Sequence, residues 1–128
     1  MAYNTTYNKI TTIPLWKEER VAAGGACTSD VIDLREIASM WKFGLSYVVK
    51  PDDPTVATAG TSSFQYLSCS TRDGVFVPET STSGTSLDSA TGGTGLWQFE
   101  PFLTPFMKIK GNVGTSGSNR ITAELHVQ

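Results

Sequence analysis

At 128 residues with 39% apolar side chains, the chain is long enough to bury one core and too short for two comfortable domains. Ten Lys and Arg stand against twelve Asp and Glu, a formal charge of -2, and no basic cluster supplies the field that a phosphate backbone needs, which argues against a nucleic-acid partner. The first ten residues lack a basic region followed by an apolar core, and no run approaches the ~20 apolar residues of a bilayer span, so a soluble protein with no secretion signal and no membrane partner is expected.

Residues 1–20 are rich in Asn, Thr and Tyr and end in Ile13, Pro14, Leu15 and Trp16 with no sustained period. Two readings stand: an extended N-terminal arm with Leu15 and Trp16 as a sticky tip, or an edge strand packed on its own domain. Tyr3, Tyr7 and Trp16 are costly to leave in water, so something should cover them. On the first reading, residues 1–20 are an arm whose partner-binding side chains are Tyr3, Tyr7, Ile13, Leu15 and Trp16, and residues 21–128 form the domain.

From Val21 to Asp30 the residues are small turn material. Ile32 and Leu34 then alternate with Asp33 and Arg35 as a short strand, and Glu36 to Met40 reads as one helical or 3₁₀ turn. Trp41, Phe43, Leu45, Tyr47 and Val49 recur at every second position, which predicts a long strand with an aromatic-rich inner face. Pro51 and Pro54 stop it, since neither can donate to a ladder. In the run from Phe64 to Ser70, either Phe64 and Tyr66 or Leu67 and Cys69 face inward, depending on whether a bulge intervenes. Thr71 to Gly74 reads as a turn, with Gly74 available for positive φ, and Val75 to Val77 as a short partner strand ended by Pro78.

Residues 79–95 are mostly Ser, Thr and Gly, with Leu87 the only large apolar side chain before Leu96, and are expected to be the longest loop. Trp97 and Phe99 resume an inward face, and Pro101 and Pro105 bracket a corner. Met107 and Ile109 then alternate with Lys108 and Lys110, and Ile121, Ala123, Leu125 and Val127 with Thr122, Glu124, His126 and Gln128. The polar stretch from Gly114 to Asn119 between these runs predicts a β-hairpin whose last strand is held in mid-sheet or on a protected edge. No segment keeps a 3.6-residue period. The whole reads as all-β, an antiparallel β-sandwich of about seven to eight strands with an extended N-terminal arm.

Val21-Ala-Ala-Gly-Gly25, Thr28 to Leu34, Phe43 to Tyr47, Ser70 to Gly74, Phe99 to Lys110 and Ile121 to Leu125 follow one another in an order that resembles small, jelly-roll-like β-sandwich structural proteins of tailed bacteriophages. The resemblance spans residues 21–128 and rests on overall pattern, on turn and core residues. It implies a non-enzymatic virion protein of the head decoration or cement type. Its partners would be the major capsid protein and neighbouring copies of itself, with a homotrimer among the forms such proteins take. A carbohydrate- or receptor-binding module of a fibre, or a head-to-tail or tail component, is the alternative.

Catalytic groups are sparse. His126, the single histidine, sits on the polar face of a strand and reads as a solvated or interface residue. Cys27 and Cys69 allow one disulfide, but free thiols are the expected state in a chain of this size. Asp52 with Asp53, and Asp30 with Asp33, could offer oxygen ligands to calcium, yet the flanking prolines mark the first pair as a turn. Gly92 to Gly95 lacks the Lys and Ser or Thr of a phosphate loop. Neither a catalytic site, a cofactor nor a metal is expected.

Overall fold

A computed structural model describes residues 9–56, 59–78, 86–90 and 93–128, the backbone alone being considered over 86–90. Over these residues the chain is all-β, without a helix. The strands are β1 (Thr11–Val21), β2 (Ala26–Thr28), β3 (Ile32–Asp33), β4 (Phe43–Pro51), β5 (Ser62–Cys69), β6 (Val77–Pro78), β7 (Ser86–Ala90), β8 (Gly93–Phe99), β9 (Phe106–Val113) and β10 (Asn119–Val127). They outnumber the seven to eight expected partly because β3 and β6 are two-residue ladders.

Two antiparallel sheets result. One has the order β1-β10-β4-β8; the other runs β2-β9-β5-β6, with β3 pairing β9 and β7 pairing β5. The first half of the chain therefore pairs with the second half in reverse: β1 with β10, β2 and β3 with β9, β4 with β8, β5 with β6 and β7. Laid flat, that is one long two-stranded ribbon. Folding the ribbon over brings β10 beside β4 and β9 beside β5.

Strict alternation on β10 places Ile121, Ala123, Leu125 and Val127 in the core at 1% exposure or less, and β4 contributes Phe43, Leu45 and Val49 from the next strand. The facing sheet supplies Phe64, Tyr66, Met107, Ile109 and Val113 to the same apolar cluster. Rings join the layers: Phe99 of β8 stacks on Tyr66 of β5 with centroids 5.4 Å apart, and Tyr47 of β4 meets Phe64 of β5 at 4.9 Å. Phe99 also touches Trp97 and Phe43, which makes it the hub of the aromatic packing.

Several expectations are corrected. β9 and β10 do not form a hairpin, because residues 114–118 carry the chain from one sheet to the other. Asn119, read as loop, is the first residue of β10 and fully buried. Of the two readings of residues 1–20, residues 11–20 take the edge strand and not the arm: they form most of β1, at the edge of its sheet, and pair with β10 from Thr11↔Val127 to Val21↔Asn119; residues 1–8 lie outside those described. Register shifts between Pro14 and Trp16 and between Trp16 and Glu19, with Glu18 at φ 49°, break the alternation. These bulges hide the strand in the sequence. In β5 the register is Ser62, Phe64, Tyr66 and Ser68 inward, while Leu67 and Cys69 lie on the other face. β7 and the start of β8 fall within the segment expected to be loop; of that segment, residues 79–85 and 91–92 lie outside those described. Trp41 precedes β4 at φ 57°, half-buried and edge-on to Phe43. Gly74 closes the turn from Thr71 without adopting positive φ; a side chain there would collide with Thr71 and Cys69.

The Asn119 side chain ties the sheets together. Its Nδ2 donates to Gly60 O and Ser62 Oγ, both at 2.9 Å, and Gly60 N–H donates to its Oδ1 at 3.2 Å. Asn119→Ala removes these bonds and leaves buried partners unpaired, so urea denaturation should show a loss of about 2–4 kcal/mol. By contrast, the buried Ser68 hydroxyl has no hydrogen-bond partner among the described residues, and Ser68→Ala is expected to be neutral or stabilising in the same assay.

Candidate functional site

The two ends of the molecule differ in chemistry. At one end the connecting segments bond to each other: Gly24 N–H donates to Gly114 O, Gly114 N–H to Thr61 O and Asp52 N–H to Ser118 O. Asp52 also receives Arg20 Nε at 2.7 Å and Arg120 Nε at 2.8 Å, and Arg20 chiefly holds its carboxyl below the usual range. This clasp fastens β1, β10 and the β4–β5 connection. Val56 is the sole large apolar side chain exposed there among the described residues.

The opposite end is where β8 finishes, β9 begins and the 34–42 segment enters β4. It exposes Met40, Val75, Val77, Phe102 and Leu103, with Leu103 at 85% and Val75 at 82%. Phe102 and Leu103 ride on the corner between Pro101 and Pro105, which two bonds anchor: Trp41 Nε1–H to Pro101 O at 2.9 Å, and Leu34 N–H to Pro105 O at 2.9 Å. Behind them the turn expected over 36–40 lies two residues earlier, at 34–38, with Ile37 N–H and Ala38 N–H both donating to Leu34 O. Arg35 forks onto Asp33 at 2.7 and 3.0 Å and stacks 5.1 Å from the Phe106 centroid. Side-chain and backbone bonds from Arg35 hold the Asp33 carboxyl down at about 2.

Beside this end, the outer face of the β1-β10-β4-β8 sheet bears an open groove of about 720 Å³. One register row crosses it: Thr12, His126, Gly44 and Gln98. His126 is fixed in that row, with Nδ1 2.9 Å from Thr12 Oγ1 and Nε2 2.9 Å from Ser46 Oγ. Gly44 leaves the floor bare, Leu96 and Ile10 form apolar walls, and Lys42, Glu100 and Trp41 close the near end.

The proposed arm residues are placed otherwise than expected. Ile13, Leu15 and Trp16 are partly buried against the core of their own domain, while Tyr3 and Tyr7 lie outside the described residues. The exposed apolar residues of the end loops and the groove around Gly44 were not singled out from the sequence. The available signals were two large apolar residues between prolines, Phe102 and Leu103, and a glycine at an outward position within β4.

Three carboxylates considered for calcium are engaged by other partners: Asp52 by two arginines, Asp53 by the Thr55 N–H and hydroxyl, Asp33 by Arg35. No group of three or more His, Cys, Asp or Glu among the described residues could hold a metal ion. Both cysteines are free thiols. Burial pushes Cys27 up to about 11, whereas the Thr71 backbone N–H lowers Cys69.

No protein-family model and no curated protein matches the chain.

Two outcomes follow from these environments. At pH 8, peptide mass spectrometry after iodoacetamide should find Cys69 alkylated at least about tenfold faster than Cys27, since the thiolate is the reacting form. Because Asp33 titrates at about 2 rather than its ordinary 3.8, its contribution to stability is complete above pH 3.8 and lost as pH falls towards 2. Thermal melts should therefore show wild type above Asp33→Asn at pH 5, with the gap closing between pH 4 and 2.

Proposed function

We propose that this chain is a jelly-roll β-sandwich acting as a non-enzymatic structural protein of a tailed-phage virion, of the decoration or cement type, bound to the outside of the capsid. The strand pairing supports the jelly-roll reading: two sheets made by folding one antiparallel ribbon over itself are the layout of that architecture, which serves in viral capsid and lectin domains alike. The phage assignment rests on the resemblance of residues 21–128 in overall pattern.

The single observation that carries a contact role is the crowding of Met40, Val75, Val77, Phe102 and Leu103 at one end. Fully burying one such side chain contributes about 1.5–3 kcal/mol, so a few of them seated on a neighbour suffice for a stable contact. These residues take over the anchoring part first given to Ile13, Leu15 and Trp16. The major capsid protein is the partner, and neighbouring copies of the chain, as in a homotrimer, are the second. Burial of apolar area, not ion pairing, drives the attachment, so it should weaken little between low and high salt. A second reading, a carbohydrate- or receptor-binding module, is favoured by one separate feature, the groove over Gly44.

The test is purification of particles from cells making this protein, followed by location of the chain in cryo-microscopy density. The end carrying Phe102 and Leu103 should face the shell, and Leu103→Asp with Phe102→Asp should cut occupancy at least about tenfold while the free protein keeps its melting temperature. Absence of the chain from purified particles overturns the assignment.

A further inference from the structure

Gly44 lies in the middle of β4, between His126 on one side and Gln98 on the other, where a glycine weakens a strand relative to almost any other residue. Neither usual reason for a glycine applies. Its φ is not positive, and an added Cβ would meet only Trp97 O at 3.9 Å and Leu96 Cδ1 at 4.0 Å, ordinary contact distances. The backbone does not require glycine here, and neither does packing. What the missing side chain creates is room: it is the floor of an open groove of about 720 Å³. A second costly feature borders the same groove. Trp41 is held at φ 57°, a conformation rare for a bulky residue, by hydrogen bonds on both sides of it: Met40 N–H and Lys42 N–H to Gln128 O, and Gln128 N–H to Lys42 O.

We propose that this groove binds a neutral saccharide unit, the ring lying across Gly44. The surroundings select that class. Lys42 and Glu100 at one end cancel in charge, so neither an anion nor a cation is favoured. Gln98 offers a donor and an acceptor on one planar amide, Lys42 donates and Glu100 accepts, a mixed set suited to hydroxyls that do both. Exposed Leu96 and Ile10 and the Trp41 rim provide apolar surface for the C–H faces of a sugar ring. The His126 ring, pinned by Thr12 and Ser46, forms a rigid wall. This proposal deepens the second reading above and rests on the groove, not on attachment to a particle, so it and the decoration reading can fail separately.

The test has two arms. Thermal melting of Gly44→Ala should show a midpoint equal to or above wild type; a clear drop would mean that the fold itself needs the glycine, and would remove the premise. In the second arm, ¹⁵N-labelled protein is titrated with glucose, galactose, mannose, N-acetylglucosamine and their short β- and α-linked oligomers. At least one should shift the Gly44 amide, the Gln98 side-chain amide and the Trp41 indole N–H saturably, while the inward Trp97 indole stays in place. Gly44→Val, with its fold checked by circular dichroism, and Gln98→Ala should each weaken that binding at least tenfold. If no sugar produces the pattern, if the shifts survive Gly44→Val, or if an extended peptide library shifts these resonances where the sugars do not, the saccharide assignment is overturned.

Discussion

The fold depends on β10 being paired along both edges. Its backbone bonds β1 over Thr11↔Val127 to Val21↔Asn119 on one side and β4 over Phe43↔Val127 to Pro51↔Asn119 on the other. A strand so placed can leave no backbone donor or acceptor dry and unpaired, which is why it carries no proline and no bulge along its β4 edge. Its inward residues, Ile121, Ala123, Leu125 and Val127, are shielded only because the other sheet lies across them. The last strand thus fixes the position of β1 from the start of the chain and β4 from its middle. Nearly every stabilising contact spans a long stretch of sequence, so folding should be slow relative to a helical domain of this size.

The same ribbon topology separates two kinds of end. At the Asn119 end the connections are bound to each other and to the clasp of Arg20, Asp52 and Arg120, and few apolar groups are exposed. At the other end the connecting segments carry Met40, Val75, Phe102 and Leu103 outward. Connections that hold the sheets together are poor places for exchangeable contacts, because changing them unfastens the core. The loops of the apolar end are also fastened, Trp41 to Pro101 and Leu34 to Pro105, but the exposed side chains of Phe102 and Leu103 take no part in those bonds.

Sequence alone made the inner faces legible and the partners illegible. Alternation correctly named Phe43, Leu45, Val49, Trp97, Phe99, Ile109 and Leu125 as buried, and placed β10 away from a frayed edge. It could not say that β9 and β10 belong to different sheets, since a polar stretch between two alternating runs looks the same whether the chain turns back in plane or crosses the core. Strand β1 was obscured by its bulges, which put Leu15 and Trp16 both against the core and so erased the two-residue period. Strand β7 was obscured for the opposite reason: its residues are mostly small and polar, and only its backbone pairing to β5 marks it as a strand. The candidate surfaces were harder still. Exposure of Leu103 depends on where the 101–105 corner points, and the meaning of Gly44 depends on its cross-strand neighbours, neither of which a periodic pattern records.

Trp41 connects the two surfaces physically. Its indole N–H holds Pro101 O and so steadies the corner that carries Phe102 and Leu103, while its ring packs on Phe43 and borders the groove above Gly44. The left-handed backbone at this residue costs on the order of 1–2 kcal/mol, and the bonds around Gln128 and Pro101 offset it. A β-region φ at Trp41 would turn the indole away from Pro101 and release the corner, and the same rotation would remove the rim of the groove. One strained residue therefore sets the shape of both the apolar end and the groove. The corner and the groove wall cannot rearrange independently while that indole bond is made.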